Sequence, residues 1–272
     1  MKSTYILPII SSLASAYQYG TGAGPDDTYQ SYNQNPNATG SVSLLGVDMT
    51  SSSSSSPKDW TAAINVTEVP VSGGFLTNSV ISFNANGVFV ANSTWNTCAM
   101  IMYNVARNAT EKGQGDSGDC SATLGDQCKA DWVAKITTAA ANAGNAGEDP
   151  CLFTPPQIPD SCIGTLAADS IAGAITSNYT KGEAWFYATE SQPPHQATNF
   201  TAYETAATRI WPVLLIQANN DTKTFSTQMS CLRAKNAAQG SHEIGDVPGA
   251  GSHVEGVWWS LAAVFAVMGF LM

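Results

Sequence analysis

Six cysteines constrain this chain more than any other feature. Cys98, Cys120, Cys128, Cys151, Cys162 and Cys231 form an even set within 272 residues. There is no C-x-x-C pair, and none of the three histidines (His195, His242, His253) lies near a cysteine, so the spacing does not fit a zinc site. Such a set predicts three disulfides closed in an oxidising lumen. Sequence alone does not choose the pairing. Proximity favours Cys120 with Cys128 and Cys151 with Cys162, leaving Cys98 to close a long loop with Cys231.

Both ends read as processing signals. Lys2 supplies one positive charge, Tyr5 to Leu13 is an apolar stretch, and Ala14-Ser15-Ala16 is a small-residue exit. That is the pattern of a secretory signal cleaved after Ala16. Val257 to Met272 is apolar and uncharged. A spanning helix wants about 20 apolar residues and a basic flank, and this run has neither. Small residues, a short polar spacer and an apolar tail make the pattern of a glycosylphosphatidylinositol (GPI) attachment signal. Gly249 is the first choice for attachment, with Ala250, Gly251 and Ser252 as rivals.

Seven asparagines stand in N-x-S/T acceptors: Asn37, Asn65, Asn92, Asn108, Asn178, Asn199 and Asn220. Roughly three or four would arise by chance in a chain this rich in Ser and Thr, so the excess is modest and the even spread is the informative part. Only 12% of residues are charged and the formal net charge is −10. Phosphate binding needs a basic face, so nucleic acid is excluded as a natural partner.

The boundaries that follow are a signal peptide over 1–16, a disordered segment over 17–40 and a single disulfide-bonded domain over 41–235. A polar stalk over 236–249 and a removed anchor signal over 250–272 complete the chain. The serine run 51–56 is low complexity and open to O-linked sugars. Within the domain, Ser41–Val47, Thr61–Thr67 and Val80–Ala85 read as strands, and Asn86-Gly87 suits a tight hairpin into Val88–Val90. Trp95 to Val105 is apolar on several faces and stays undecided between strand and buried helix. Cys128 to Ala143 places Trp132, Ile136, Ala140 and Ala143 on one helical stripe. A second helix is expected after Asp160, running through Ile163, Leu166 and Ile171. Glu183–Ala188, Trp211–Ile216 and Gln228–Leu232 return to strands, with Pro212 tolerable at a strand start or edge. The expected fold is α+β, a disulfide-bonded antiparallel sheet domain with two or so helices; the alternative is a β-sandwich with a helical insertion.

No catalytic or metal constellation stands out, and no cofactor is expected. Gly113-Gln114-Gly115-Asp116-Ser117-Gly118 matches a dinucleotide fingerprint by letter, but lacks the preceding strand and following helix, and reads as a flexible loop. Asp116, Asp119 and Asp126 fail the spacing of a calcium loop and read as solvated acids. Ser55 to Lys58 matches S-x-x-K only because it sits in a serine run, and no G-x-S-x-G is present. His242-Glu243 lacks the second histidine of a zinc-protease helix, and His253 lies in the anchor signal. His195, beside Pro193-Pro194, reads as an exposed loop residue and is the sole candidate for a Ser-His-Asp triad. A glycosidase needs only two carboxylates. Glu183, Glu190 and Glu204 lie near Trp185, Tyr187 and Tyr203, which could stack on sugar rings or fill the core.

In overall plan the chain resembles the GPI-anchored cell-surface and cell-wall glycoproteins of filamentous fungi, on the Ala14-Ser15-Ala16 exit, the serine run, the sequons and the Gly249 to Met272 tail. The resemblance implies an extracellular address at the membrane or wall through a GPI lipid. It also implies a non-enzymatic role in structure, adhesion or recognition, with wall polysaccharide or another surface protein as partner. The alternative is a carbohydrate-active enzyme acting on wall polysaccharide. The resemblance covers mainly the ends and carries no catalytic residue into the core.

Overall fold

The structure, a computed structural model, describes residues 18–21, 33–49, 56–87, 94–167, 169–175 and 181–249; of 18–21, 181–184 and 190–193 the backbone alone is described. Strict alternation in β2 (Ala38–Val47) turns Ala38, Val42 and Leu44 inward and leaves Leu45 in solvent. This strand pairs antiparallel with β3 (Pro57–Val71), which turns tightly into β4 (Gly74–Asn84). β4 pairs with β7 (Lys181–His195), and β7 with β1 (Gln18–Thr21). With β10 (Asn236–Ala237) on the far edge, the order is β1-β7-β4-β3-β2-β10. A second antiparallel sheet has the order β6-β5-β8-β9, from β5 (Trp95–Met102), β6 (Ser170–Ala174), β8 (Trp211–Asn219) and β9 (Thr224–Leu232).

The two sheets face each other across one apolar core. Ala62, Ile64, Ile81 and Phe83 of the larger sheet meet Ala99, Ile101, Val213 and Leu215 of the smaller. A bulge sets Ile81 opposite Phe186 and Ser82 opposite Ala184, so Trp185 and Phe186 both enter the core although they are adjacent. Trp185 meets Phe83 edge-on at 5.6 Å, and Phe186 meets Trp211 at 5.3 Å. Buried Gln217 accepts the Val47 N–H through Oε1 at 2.6 Å, and Ser230 Oγ donates to Ser43 O at 2.9 Å, tying the register of one sheet to the other.

The opposite residues of the smaller sheet face a second core. Cys98, Met100 and Met102 of β5 and Leu214 and Ile216 of β8 pack on Trp132, Ile136 and Ala140. Those three lie on α3 (Asp126–Asn145), the helix whose stripe the sequence shows. Between β5 and α3 come α1 (Arg107–Lys112) and α2 (Ser121–Leu124); α4 (Thr201–Thr208) precedes β8. Isolated helices under about 12 residues are marginal in water, so α1, α2 and α4 exist by packing alone. The fold is α+β: antiparallel sheets, helices and three disulfides, with α1, α2 and α3 inserted between β5 and β6 and α4 between β7 and β8.

All six cysteines pair, but not with their neighbours. The bridges are Cys98–Cys151, Cys120–Cys231 and Cys128–Cys162, and they replace all three proximity pairings. Cys98 points from β5 into the helical layer and Cys231 sits on the same side of β9, so each meets a cysteine of that layer. Other expectations also change. The second helix is only one 3₁₀ turn, Asp160–Cys162, because Cys162 is bridged to α3 and the chain then bridges Leu166 to Val105 and enters β6. The undecided stretch is the strand β5. The segment 17–40 contains β1 and the start of β2, and the segment 236–249 contains β10, so neither end of the domain lies where composition put it. Asn86 does take the left-handed conformation, while Val88–Val90 lie outside the described residues. Pro212 is the second residue of β8 and pairs only with β9, where its missing N–H costs no ladder bond to β5.

Loop-closure entropy sets the expected ranking of the bridges. Removing Cys120–Cys231, separated by 111 residues, should cost about 5 kcal/mol, and removing Cys128–Cys162, separated by 34, about 4 kcal/mol. Urea unfolding of the two Cys→Ala double variants checks this; a larger loss from the shorter loop would overturn the ranking.

Candidate functional site

The glycine-rich stretch is ordered around an acid. Asp116 is buried, and its Oδ1 accepts the N–H groups of Gly118 (2.8 Å) and Cys120 (3.1 Å). Its Oδ2 accepts the Thr123 N–H (3.0 Å) and Thr123 Oγ1–H (2.8 Å). Gly118 has φ 116°, and a Cβ there would meet Val42 Cγ1 at 2.7 Å, so only glycine fits. Arg233 donates to Gln114 O; burial lowers its guanidinium pKa, and Asp116 opposes that shift. The loop therefore presents its amides to its own carboxylate, not to a phosphate, and is neither flexible nor solvated at Asp116. Asp119 remains exposed, and its carboxylate accepts the Ser121 N–H and hydroxyl, which lowers its pKa. Asp126 is the exposed first residue of α3.

A polar cluster closes one end of the sandwich. β7 carries extra residues between its pairings Thr77↔Glu190 and Phe75↔His195, which accommodates Pro193-Pro194 and returns His195 to the sheet. His195 is consequently buried, a correction to its reading as an exposed loop residue. Its Nε2 lies 3.1 Å from Thr77 Oγ1 and 3.2 Å from Glu68 Oε1, and its Nδ1 lies 3.2 Å from Gln196 O. A nucleophilic triad needs the carboxylate on the ring nitrogen opposite the hydroxyl. Here Glu68 and Thr77 share one nitrogen, and Thr77 is wholly buried. The cluster ties strands together.

The segment expected to be a stalk packs beside this cluster. Tyr203 on α4 donates to His242 O at 2.9 Å, and His242 Nε2 lies 3.0 Å from Glu204 Oε1. The His242 ring stacks on Phe200 with centroids 3.9 Å apart. Asn37 Nδ2 donates to Ser241 Oγ at 3.3 Å, and Ile244 packs against the inter-sheet core. Burial, followed by the negative charges of Glu68 and Glu243, pushes the Tyr203 phenol up to about 12. Farther along, Val247 and Pro248 wall a cavity of about 200 Å³ with Tyr103, Thr110, Arg107 and Arg209.

The sequence candidates now separate. Asn108 and Asn199 are exposed, at the start of α1 and just before α4. Asn220, at the β8–β9 turn, is partly buried and accepts a bond from Asn96. Asn37 and Asn65 are partly buried, with their amide nitrogens donating to Ser241 and Asn33, so they are poor acceptors for a glycan. Asn92, Asn178, Ala250, Gly251, Ser252 and His253 lie outside the described residues, as do 1–16 and most of the serine run. Lys58 pairs with Asp48 at 3.5 Å. Trp185 and Tyr203 are core residues, and Glu204 is engaged by His242; the side chains of Glu183 and Glu190 are not described. Every described aromatic side chain is at least partly buried. Among the described residues no cluster of His, Cys, Asp or Glu could hold a metal ion, and no helix is long and apolar enough to cross a membrane. Of these features, Asp116 and the docked C-terminal segment escaped sequence reading; the one hint was an aspartate amid glycines.

No protein-family model, curated protein or solved structure matches the chain.

Asp116→Ala should lower the unfolding free energy by about 3 kcal/mol, since it leaves buried donors unpaired; urea unfolding measures it. Tyr203 gives a pH signature. Its phenol pKa is raised on folding from 10.0, so its contribution to stability is whole below pH 10 and is lost as pH rises through about 12. Ultraviolet titration should show a late-titrating phenol that is lost in Tyr203→Phe.

Proposed function

We propose that this chain is the precursor of a GPI-anchored extracellular glycoprotein of the cell surface or wall, acting in structure, adhesion or recognition rather than catalysis. The observation that carries the reading is the complete use of the cysteines: three buried disulfides, no free thiol, the chemistry of an oxidising compartment. The exposed sequons at Asn108 and Asn199 agree with passage through that compartment. Recognition suits a rigid double-core scaffold with a net charge of −10 and no exposed aromatic among its described residues. The partner is wall polysaccharide or another surface protein met through polar contacts, and the membrane is reached through the lipid.

Phosphatidylinositol-specific phospholipase C applied to intact cells should release the protein, with ethanolamine on a C-terminal peptide ending at Gly249. Retention at the membrane would overturn the anchor. Product formation by the purified ectodomain on glucan or chitin oligosaccharides would overturn the non-enzymatic role.

A further inference from the structure

The helical layer turns an uncharged face to solvent. While α3 buries Trp132, Ile136 and Ala140, its other side presents Ala130, Ala134, Thr138 and Asn145, all exposed, and half-buried Ala141. These five stand three or four residues apart and so form one row. From Ile136 to Gly147 the chain holds no charged residue. A helix face that meets only water ordinarily carries charge.

Beside this row runs a strap, 150–163, pinned at both ends by disulfides. Cys151 is bridged to Cys98 and Cys162 to Cys128, Ser161 Oγ donates to Asp131 Oδ2 at 2.6 Å, and Lys135 Nζ donates to Gln157 O at 3.1 Å. The residue after each bridged cysteine is a large apolar side chain in solvent: Leu152 is 74% exposed and Ile163 is 72% exposed. Among the described residues the other exposed large hydrophobic is Leu45, on the larger sheet. Between strap and helix lies a groove of about 400 Å³, lined by Ala134, Lys135, Thr138, Ala139, Asn142 and Pro156. No N-x-S/T acceptor occurs between Asn108 and Asn178, so no N-linked sugar is attached to α3 or the strap. Asn220, on the turn that reaches Gly144 O through Lys223, is half-buried and bonded to Asn96.

We propose that this face is where two copies of the chain meet, their α3 helices antiparallel about a two-fold axis. The inference stands apart from the anchor reading. Leu152 lies toward the C-terminal end of α3, since Pro150 comes within 3.8 Å of where a Cβ on Gly144 would stand. Ile163 lies toward the other end, next to the Cys162–Cys128 bridge. A two-fold axis across the middle of the helix therefore brings Leu152 of one copy to Ile163 of the other, twice over. The row of small side chains lets the helix axes approach to about 8 Å. A helix of 20 residues is about 30 Å long, and with the strap beside it the face covers about 600 Å² per copy. The pair then buries about 1,200 Å², the lower end of a specific interface. Charge selects the same face. Copies with a net charge of −10 repel through their acids and approach most easily where none stand. Asp126, Asp131 and Asp160 lie at one end of the row and Glu148 and Asp149 at the other, so the acids fall at the rim and the uncharged row at the centre.

Sedimentation velocity of the mature, disulfide-closed protein over a range of concentrations tests this. The mass should double as concentration rises, and the midpoint should move to lower concentration as sodium chloride screens the acids at the rim. Ala134→Glu places a charge in the row and should raise the dissociation constant at least about tenfold. Leu152→Ser/Ile163→Ser removes the paired apolar side chains and should raise it several-fold, whereas Leu45→Ser, on the larger sheet, should leave it unchanged. All four substituted residues are exposed, so the fold is kept, and the two variants test the row and the strap separately. A monomer at every concentration and salt would overturn the proposal. So would a dimer indifferent to both Ala134→Glu and Leu152→Ser/Ile163→Ser, which would place the contact elsewhere.

Discussion

Every residue of β8 is buried, and that fact organises the molecule. A strand covered on both faces needs apolar partners on both sides, and the four-stranded sheet built around it cannot stand alone in water. The larger sheet covers one face with an aromatic and aliphatic core, and α3 covers the other with Trp132 and Ile136. Fully burying one such side chain contributes about 1.5–3 kcal/mol, so each cover is worth several such increments. The covers differ in self-sufficiency. The larger sheet is held by its own ladders, whereas the helical layer has one long helix and two short ones that would not persist unaided.

The disulfides fall where that weakness lies. Two of them join the helical layer to β5 and β9, and the third joins α3 to the 3₁₀ turn that returns the chain to β6. None lies within the larger sheet. Cross-links restrict the unfolded ensemble most where they close long loops, and the longest closes onto Cys120, next to the buried Asp116 carboxylate. Asp116, Gly118 and Cys120 thus form one local device: the carboxylate shapes the turn, the glycine lets it pass Val42, and the bridge fastens it to β9, where the Cys231 N–H donates to Gly118 O at 2.8 Å.

What was legible in the sequence was local. The stripe from Trp132 to Ala143 needs only helical periodicity, and the strands around Leu44, Ile64 and Leu214 need only alternation or an unbroken apolar run. Disulfide pairing was not local: which cysteine meets Cys98 depends on which face of β5 turns to the helices, and that follows from the stacking of two sheets. Adjacent Trp185 and Phe186 defeat an alternation argument because a bulge puts both on one side. The polar C-terminal segment looked like a stalk because its anchors are hydrogen bonds and one stacked ring, Phe200 on His242, rather than an apolar stripe. His195 looked exposed beside two prolines, yet the extra residues of β7 hold those prolines outside the ladder and bring the imidazole back to Glu68.

The docked segment also changes how an anchored domain would meet its surroundings. A free linker lets a domain sample many orientations, whereas ordering it costs roughly 1–2 kcal/mol per residue of backbone entropy. Along 236–249 that cost is opposed by the Tyr203 and His242 bonds, the partial burial of Ile244 and the pairing of β10. An orientation fixed in this way presents the same surface to every partner, so ordering is settled before encounter and not charged against binding. The exposed acceptors follow the same geometry. Asn108 and Asn199 stand on or beside α1 and α4, the two helices that meet the segment near its end. In the proposed reading, glycans there would flank the exit of the chain toward its attachment residue.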